Sequence, residues 1–391
     1  MQRGLQGRFE RRGGRENGYA AFIPTPLPPD PSLHLTTELH DLLERANRAL
    51  GRLDGLCTLL PDPELFLYLY VRKEAVLSSQ IEGTQSSLSE LLLFEGNAVP
   101  GVPLSDVQEV SRYVAAMNHG LARLREGFPL SLRLLREIHA ILMADGRGSN
   151  QTPGEFRRSQ NWIGGTRPGD AAYVPPPEDT LMEHLGALEL FLHDQPVRTP
   201  TLIKAALAHV QFETIHPFLD GNGRLGRLLV TFLLCAEGAL SEPLLYLSLY
   251  LKQHRRTYYE LLQQVRMEGD WEEWLRFFLT GVEATAGQAS HTARRILEIL
   301  DRDRMRIETA GRSAGTLLRL HHLMRRNPQL TVMNAVKGLG LSYPTIASAM
   351  GSLQKLDIVE EVTGRGRDRV FVYRDYLDLL NEGTELAPLA A

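Results

Sequence analysis

The chain has 391 residues, 43% apolar and 23% charged, the balance of an ordinary globular protein and unlike a disordered, collagenous or membrane-embedded chain. Its 43 basic and 47 acidic side chains leave a net charge of −4, which excludes a global basic bias toward nucleic acid or anionic lipid. The length predicts two or three packed units, no run reaches the roughly 18 apolar residues of a membrane span, and the only cysteines, Cys57 and Cys235, sit in apolar runs and read as buried thiols of a reducing, cytoplasmic protein.

The N-terminus is arginine-rich (Arg3, Arg8, Arg11, Arg12, Arg15), has no apolar signal core, and leads to Pro24-Thr-Pro-Leu-Pro-Pro29. Such proline density forbids a helix and predicts an extended arm lying across another part of the molecule. Leu39, Leu42, Leu43, Ala46, Leu50 and Leu53 then recur at steps of three and four, and similar stripes run through 63–80, 105–124, 131–143, 180–194, 201–215, 224–238 and 246–280. The fold class is therefore mainly α, a helical bundle.

Within the stripe ending near residue 80, Ser78-Ser-Gln-Ile-Glu82-Gly83 sets Ser78 and Glu82 four apart on one helix face, with Gly83 suited to end the helix. Taken alone this is a common helix ending. Residues 151–177 break the helical pattern: Gly154, Gly164, Gly165, Gly169 and Pro175-Pro-Pro177 surround β-prone pieces at Asn161-Trp-Ile163 and Ala172-Tyr-Val174. That alternation predicts a small β-hairpin flap.

The densest chemistry lies in His216-Pro-Phe-Leu-Asp-Gly-Asn-Gly-Arg-Leu-Gly-Arg227, between one apolar helix ending at Ile215 and another starting near Arg224. Gly221, Asn222 and Gly223 free the backbone for positive φ and close approach, and the following helix offers unpaired N–H groups, an anion nest suited to phosphates. Arg224 and Arg227, three apart, oppose the helix dipole unless an anion lies between them. Asp220 adds a carboxylate where Mg²⁺ could bridge to phosphates, and His216 adds a side chain able to take a proton near neutral pH. Each residue singly also belongs to turn vocabulary; a base, a carboxylate, a glycine nest and two arginines within twelve residues point to a site.

Beyond residue 282 the pattern predicts a polar connecting helix over 283–306 and a compact unit over 312–380. Its order is a short helix at Val332–Val336, a Gly338-Leu-Gly340 turn, a helix at Tyr343–Leu356 capped by Ser342, and strands at 358–362 and 370–373 around a Gly364-Arg-Gly-Arg-Asp368 tip. That order resembles a winged helix-turn-helix, whose Arg365, Arg367 and Arg369 would meet phosphate. DNA through 312–380 is one partner such a unit takes; a protein or a second copy in a homodimer is another, since the second helix carries a single lysine.

The 216–227 segment resembles the Fic family signature His-Pro-Phe-x-[Asp/Glu]-Gly-Asn-Gly-Arg-x-x-Arg at every fixed position, and the likeness extends over about 19–282. The resemblance implies a Fic-type helical bundle that transfers AMP from ATP to a hydroxyl of a target protein. It assigns His216 as general base, Asp220 as the Mg²⁺ ligand, and Gly221, Asn222, Gly223, Arg224, Leu225, Gly226 and Arg227 as the phosphate-binding stretch, with Phe218 as the anchor of the loop. Gly154-Glu-Phe-Arg157, Trp162-Ile-Gly-Gly165 and Tyr173-Val-Pro-Pro176 resemble the family's flap, so Ile163, Gly164, Gly165, Tyr173 and Val174 would pair main chain with the target. Tyr258-Tyr259 resembles its adenine pocket, with Tyr259 as the contact. Ser78, Glu82 and Gly83 match its N-terminal inhibitory motif, which implies a Glu82–Arg227 pair in the place of the γ-phosphate and, through the same glutamate, a second activity that removes AMP. The implied organisation is an arm and inhibitory region over 1–110, a Fic core over 111–282, a connecting helix over 283–311 and a winged-helix-like domain over 312–391. The rival from another class is a nucleotide-sensing, DNA-binding transcriptional regulator with a Fic-like body; intact His216 and Asp220 favour the enzyme.

Overall fold

The computed structural model describes residues 1–14, 18–59, 63–95, 102–145, 148–364 and 369–384, with the side chains at 57–59 and 63–64 outside that description. The chain opens with an antiparallel hairpin, β1 (Gly7–Arg12) and β2 (Tyr19–Pro24), in register from Gly7↔Pro24 to Arg12↔Tyr19. The arm does lie across the body: Gly4 and Gln6 donate N–H groups to the carbonyls of Glu268 and Arg266, and the buried Arg3 side chain pairs with Glu272 at 2.5 Å. The sequence reading of a merely extended arm missed the hairpin. β1 is charged at most positions, so its strand character comes from pairing with β2, whose Phe22 and Ile23 are buried.

The bundle follows as α1 (Thr37–Leu59), α2 (Pro63–Ile81), α3 (Leu88–Glu95), α4 (Leu104–Arg125), α5 (Leu132–Leu142), α6 (Leu181–Leu192), α7 (Thr201–Ile215) and α8 (Asn222–Ala236). Helix α7 is buried at every position from Leu202 to Ile215, so it forms the centre of the bundle. Helices α4 and α8 approach closely at Gly120, where a Cβ would overlap the Phe232 ring. Residues 151–177 form the expected flap in its smallest form, a single antiparallel bridge in which Ile163 and Tyr173 exchange both main-chain hydrogen bonds.

The stripe read over 246–280 is three helices, α9 (Ser248–Gln253), α10 (Arg255–Glu268) and α11 (Trp271–Glu308). The breaks fall at His254 and at Gly269, whose φ of 68° closes α10 in the left-handed conformation. Helix α11 runs unbroken for 38 residues, so the separate polar connector expected over 283–306 is its second half. Ala286, Ala289, Ala293, Ile296, Leu300 and Ile307 give that half a buried face of mostly small side chains. The borders drawn at 110/111 and 282/283 lie inside α4 and α11.

The C-terminal unit comprises α12 (Ala314–Arg326), β3 (Gln329–Thr331), α13 (Val332–Leu339), α14 (Tyr343–Lys355), β4 (Glu360–Glu361), β5 (Val370–Val372) and α15 (Arg374–Asn381), with a sheet ordered β3-β5-β4. Ser342 caps α14 by accepting from Thr345 N, and Gly340 closes α13 at φ 64°. Arg365 and Arg367 lie outside the described residues; Arg369 stands over the Phe371 ring. Tyr373 ties the unit to α11 by donating to the buried Asp303 at 2.7 Å. Among the described residues no helix is long and apolar enough to cross a membrane. Cys235 is half-buried and burial pushes its thiol up to about 12; the Cys57 side chain is outside the described set.

Candidate active site

The loop from α7 to α8 is held in a conformation its own residues would not choose. His216 closes α7 with φ 49°, a left-handed setting that costs a non-glycine residue free energy unless its surroundings enforce it. Arg157 Nε and Asn161 Nδ2 both donate to the His216 carbonyl, at 3.0 and 3.2 Å, and Asn161 also reaches Phe218 O at 2.8 Å. Asn222 closes the loop from the other side: Oδ1 accepts from Phe218 N at 2.9 Å and Nδ2 donates to Phe218 O at 2.8 Å.

Phe218 is fully buried, as an anchor should be, and stacks on His139 with centroids 3.7 Å apart. His139 Nδ1 accepts from Gly154 N, so its Nε2 carries the hydrogen and donates to Asp220 O at 3.0 Å. Burial pushes this imidazole down to about 4, which keeps that tautomer neutral.

Helix α8 begins at Asn222, so its first N–H groups have no acceptor within the helix and face the loop. Gly221 precedes it at φ 78°, and a Cβ there would strike Met143 Sδ, so this approach requires glycine. Asp220 Oδ1 accepts from Gly221 N at 2.6 Å. The two arginines do not stand free beside an empty anion site. Arg224 pairs with Glu109 on α4 at 2.7 Å, although its Nε is buried without a partner; Arg227 donates to Glu82 Oε1 at 2.6 Å and to Ser78 Oγ at 2.8 Å. Carboxylates from two other helical regions thus offset the cost of cations at this helix start. Burial works to raise Glu82, but the charge of Arg227 outweighs it and holds the carboxyl below its ordinary range. Gly223 makes room for that pair, since a Cβ there would overlap the Glu82 carboxylate.

Glu82, Ile163, Gly164, His216, Asp220, Gly221, Asn222, Gly223, Arg224, Arg227 and Tyr259 all border one cleft of about 460 Å³, within the ordinary size of ligand sites. Burial, reinforced by Arg266 and Arg157, pushes His216 down to about 3, so it presents a neutral imidazole. Both tyrosines border the cleft but differ in exposure. Tyr258 is buried and donates its hydroxyl to His209 Nε2 at 2.8 Å, because His209 Nδ1 already faces the Gly226 carbonyl; Tyr259 is 43% exposed.

Other expected site residues stay out of the cleft. Leu225 is fully buried in the core, and Gly226 abuts the Glu213 carboxylate. Ser78 is buried beneath Arg227, and Gly83 only turns the chain at φ 97°. Tyr173 and Val174 face inward: Tyr173 donates to Thr214 O at 2.7 Å, and Val174 O accepts from Phe22 N of β2. That edge of the flap is therefore taken by the N-terminal hairpin, and the open edge is that of Ile163. Sequence reasoning missed Glu109, His139, Asn161 and Glu213 as parts of the site; only Gly154-Glu-Phe-Arg157 carried a local signal, through the resemblance.

Residues 40–122 match the model of the Fic/DOC family N-terminal region and residues 129–234 that of the Fic/DOC family. The chain is 32% identical over 257 residues to the protein adenylyltransferase Fic of Culex quinquefasciatus, covering 64% of this chain and 47% of the relative. The identity to the protein of the same name from Aedes aegypti is also 32% over 257 residues, covering 64% and 48%. The chain thus spans about half the length of the curated relatives it matches. A Fic family protein from Desulfovibrio desulfuricans G20 shares the fold, with a TM-score of 0.57 at 19% identity over 87% of this chain and 97% of that one.

Proposed function

Across residues 40–122 and 129–234 the chain belongs to the Fic/DOC family, and from that premise we propose that it transfers the AMP moiety of ATP to a hydroxyl side chain of a protein target, with Glu82 as a built-in brake. The observation that carries this reading is the convergence of His216, Asp220, the start of α8, Arg224 and Arg227 on one cleft. A neutral His216 accepts the target hydroxyl's proton while that oxygen attacks the α-phosphorus. The bond from the α-phosphorus to the bridging oxygen breaks, and pyrophosphate leaves with the electron pair. The N–H groups at Asn222–Arg224 and the unpartnered Arg224 Nε receive phosphate oxygens.

Asp220 supplies one carboxylate in the cleft that holds the start of α8, a hard oxygen donor of the kind Mg²⁺ takes together with waters and substrate phosphates. When bound, that ion neutralises phosphate charge. Tyr259, exposed at the cleft, is the side chain for the adenine, and the Ile163 edge is the one for an extended target segment. The few cysteines accord with a cytoplasmic setting.

Incubating the full chain carrying Glu82→Gly with ATP labelled at the α- or the γ-phosphate tests the reading. Protein-bound label is expected from the α-position only. Label from the γ-position would make the enzyme a kinase, and label from neither would end the proposal.

A further inference from the structure

Glu213 stands one turn before His216 on α7, and the chemistry above makes no use of it. Its carboxylate is 8% exposed, rests against the backbone of Gly226, and leaves Oε1 without a hydrogen-bond partner. Its Oε2 lies 3.9 Å from His216 Nδ1, a buried nitrogen with no well-aligned hydrogen bond, although the main-chain carbonyl of Glu213 also faces the ring. A buried carboxylate oxygen and a buried imidazole nitrogen that lack well-aligned partners are costly unless the two groups engage at some step.

The proposed reaction contains such a step. Once His216 has taken the target's proton it becomes an imidazolium, which burial and the positive charges of Arg266 and Arg157 all disfavour. Glu213 places a carboxylate beside the nitrogen turned away from the reaction. The other nitrogen, Nε2, is the one left for the cleft, which His216 borders.

We propose that Glu213 is the positioning residue for His216: its carboxylate takes the Nδ1–H edge of the ring as the imidazolium forms and keeps Nε2 toward the reacting hydroxyl. The inference rests on the transfer reading above. The hydroxyl proton moves to Nε2, the hydroxyl oxygen bonds to the α-phosphorus, and pyrophosphate departs with the electron pair. The Nδ1 proton remains on the ring, hydrogen-bonded to Oε2, and the imidazolium afterwards returns the Nε2 proton to water. Glu213 borders the same cleft but acts through His216, so its part is orientation and charge balance, the role of the acid in a catalytic triad.

The charged and titratable groups facing the pair are Arg157, Arg266, Arg227, Glu82, Tyr258 and Tyr259. Burial pushes Glu213 up to about 7 and helps push His216 down to about 3, so a rate that rises with pH through about 7 reports Glu213 ionising rather than His216. Glu74 is likewise pushed up to about 7 by burial, but it accepts from Ser248 on the far side of Arg227.

The test uses the full chain with Glu82→Gly, with and without Glu213→Gln, measuring single-turnover transfer from α-labelled ATP across pH about 5.5–9, ATP affinity, and the ring ¹⁵N shifts of His216. Glu213→Gln is expected to slow transfer roughly ten- to a hundred-fold at high pH, leave ATP affinity unchanged and abolish the limb near 7. In the parent, the ring shifts are expected to titrate near the same pH. Retention of both rate and limb in Glu213→Gln overturns the proposal and hands the limb to Glu74. Ring shifts in the parent that stay flat through that range overturn it as well. If the parent transfers no AMP the function fails, and the ring titration still decides the contact; it also decides if Glu213→Gln does not fold.

Discussion

Arg227 of α8 donates to Glu82 Oε1 at 2.6 Å, and the same guanidinium reaches Ser78 Oγ at 2.8 Å and Ser78 O at 3.0 Å. Every recorded hydrogen bond of this arginine thus goes to one short segment at the end of α2. A triphosphate in the cleft must compete with Glu82 for it. Charge-assisted hydrogen bonds contribute about 1.5–3 kcal/mol, roughly ten- to a hundred-fold in the productive population. Glu82→Gly is therefore expected to raise self-labelling from α-labelled ATP by about that factor. Arg227→Ala combined with Glu82→Gly should show no gain, because the phosphate then has no guanidinium to recover. A folded Glu82→Gly protein that labels no faster than wild type returns Ser78–Gly83 to an ordinary helix ending.

The same pair sets the pH range of the proposed brake. Burial works to raise Glu82, but Arg227 outweighs it and holds the folded carboxyl below its ordinary range; burial works to lower Arg227, but Glu82 outweighs it and raises it. A depressed acid contributes its interaction above its unfolded value and loses it as pH falls through the folded one. The pair is therefore intact throughout the neutral range and weakens only in acid, below the ordinary carboxylate range. The ratio of Glu82→Gly to wild-type labelling rates should stay flat between pH about 6 and 9. A ratio that collapses near 7 would mean that Glu82 is not held as an anion by Arg227.

His216→Ala should abolish transfer while ATP still binds, because the N–H groups at the start of α8 and both arginines remain in place. Calorimetry with ATP alongside a transfer assay, both in the Glu82→Gly background, separates the two effects. Retained transfer would remove His216 from the role of base.

Asn222 is a loop clasp as well as a nest residue. Its side chain bonds both the N–H and the carbonyl of Phe218 within a buried turn, so Asn222→Ala strands the Phe218 N–H and leaves the carbonyl with Asn161 alone. A loss of about 1–3 kcal/mol in unfolding free energy is expected by denaturant titration, together with weaker ATP binding. Unchanged stability would mean that Arg157 and Asn161 alone hold the loop.

What the sequence made legible was what lies contiguous in it. His216, Asp220, the glycines and the two arginines fall within one segment and border one cleft, and the chain turn at Gly83 follows a similarly local cue. The partners that complete these groups come from elsewhere: Glu109 from α4, His139 from α5, Asn161 from the flap. No spacing announces them, because each is an ordinary helix or loop residue until the bundle closes. Glu213 was hidden for another reason: within a fully buried stretch of α7 it is one of several polar residues, with Lys204, His209 and Gln211, among apolar ones. The β1–β2 hairpin and the unbroken α11 depend on tertiary pairing and on small buried side chains, which hydrophobic periodicity reads poorly.

Gln80 links the brake to the C-terminal unit. Its Nε2 donates to Ser86 O at 2.9 Å and to Thr384 O at 2.8 Å, while Asn381 Nδ2 reaches Ser89 Oγ at 2.9 Å. The turn that carries Glu82 is therefore tied on one side to the approach to α3 and on the other to the segment following α15. Gln80→Ala removes both tethers, each worth about 0.5–1.5 kcal/mol net, without touching the Arg227 contacts. Self-labelling should rise several-fold, less than for Glu82→Gly, and the double variant should match Glu82→Gly alone because both changes act through one contact. If the double variant is faster than Glu82→Gly, Gln80 acts on something other than the brake; if Gln80→Ala labels at the wild-type rate, the C-terminal segment has no hold on Glu82.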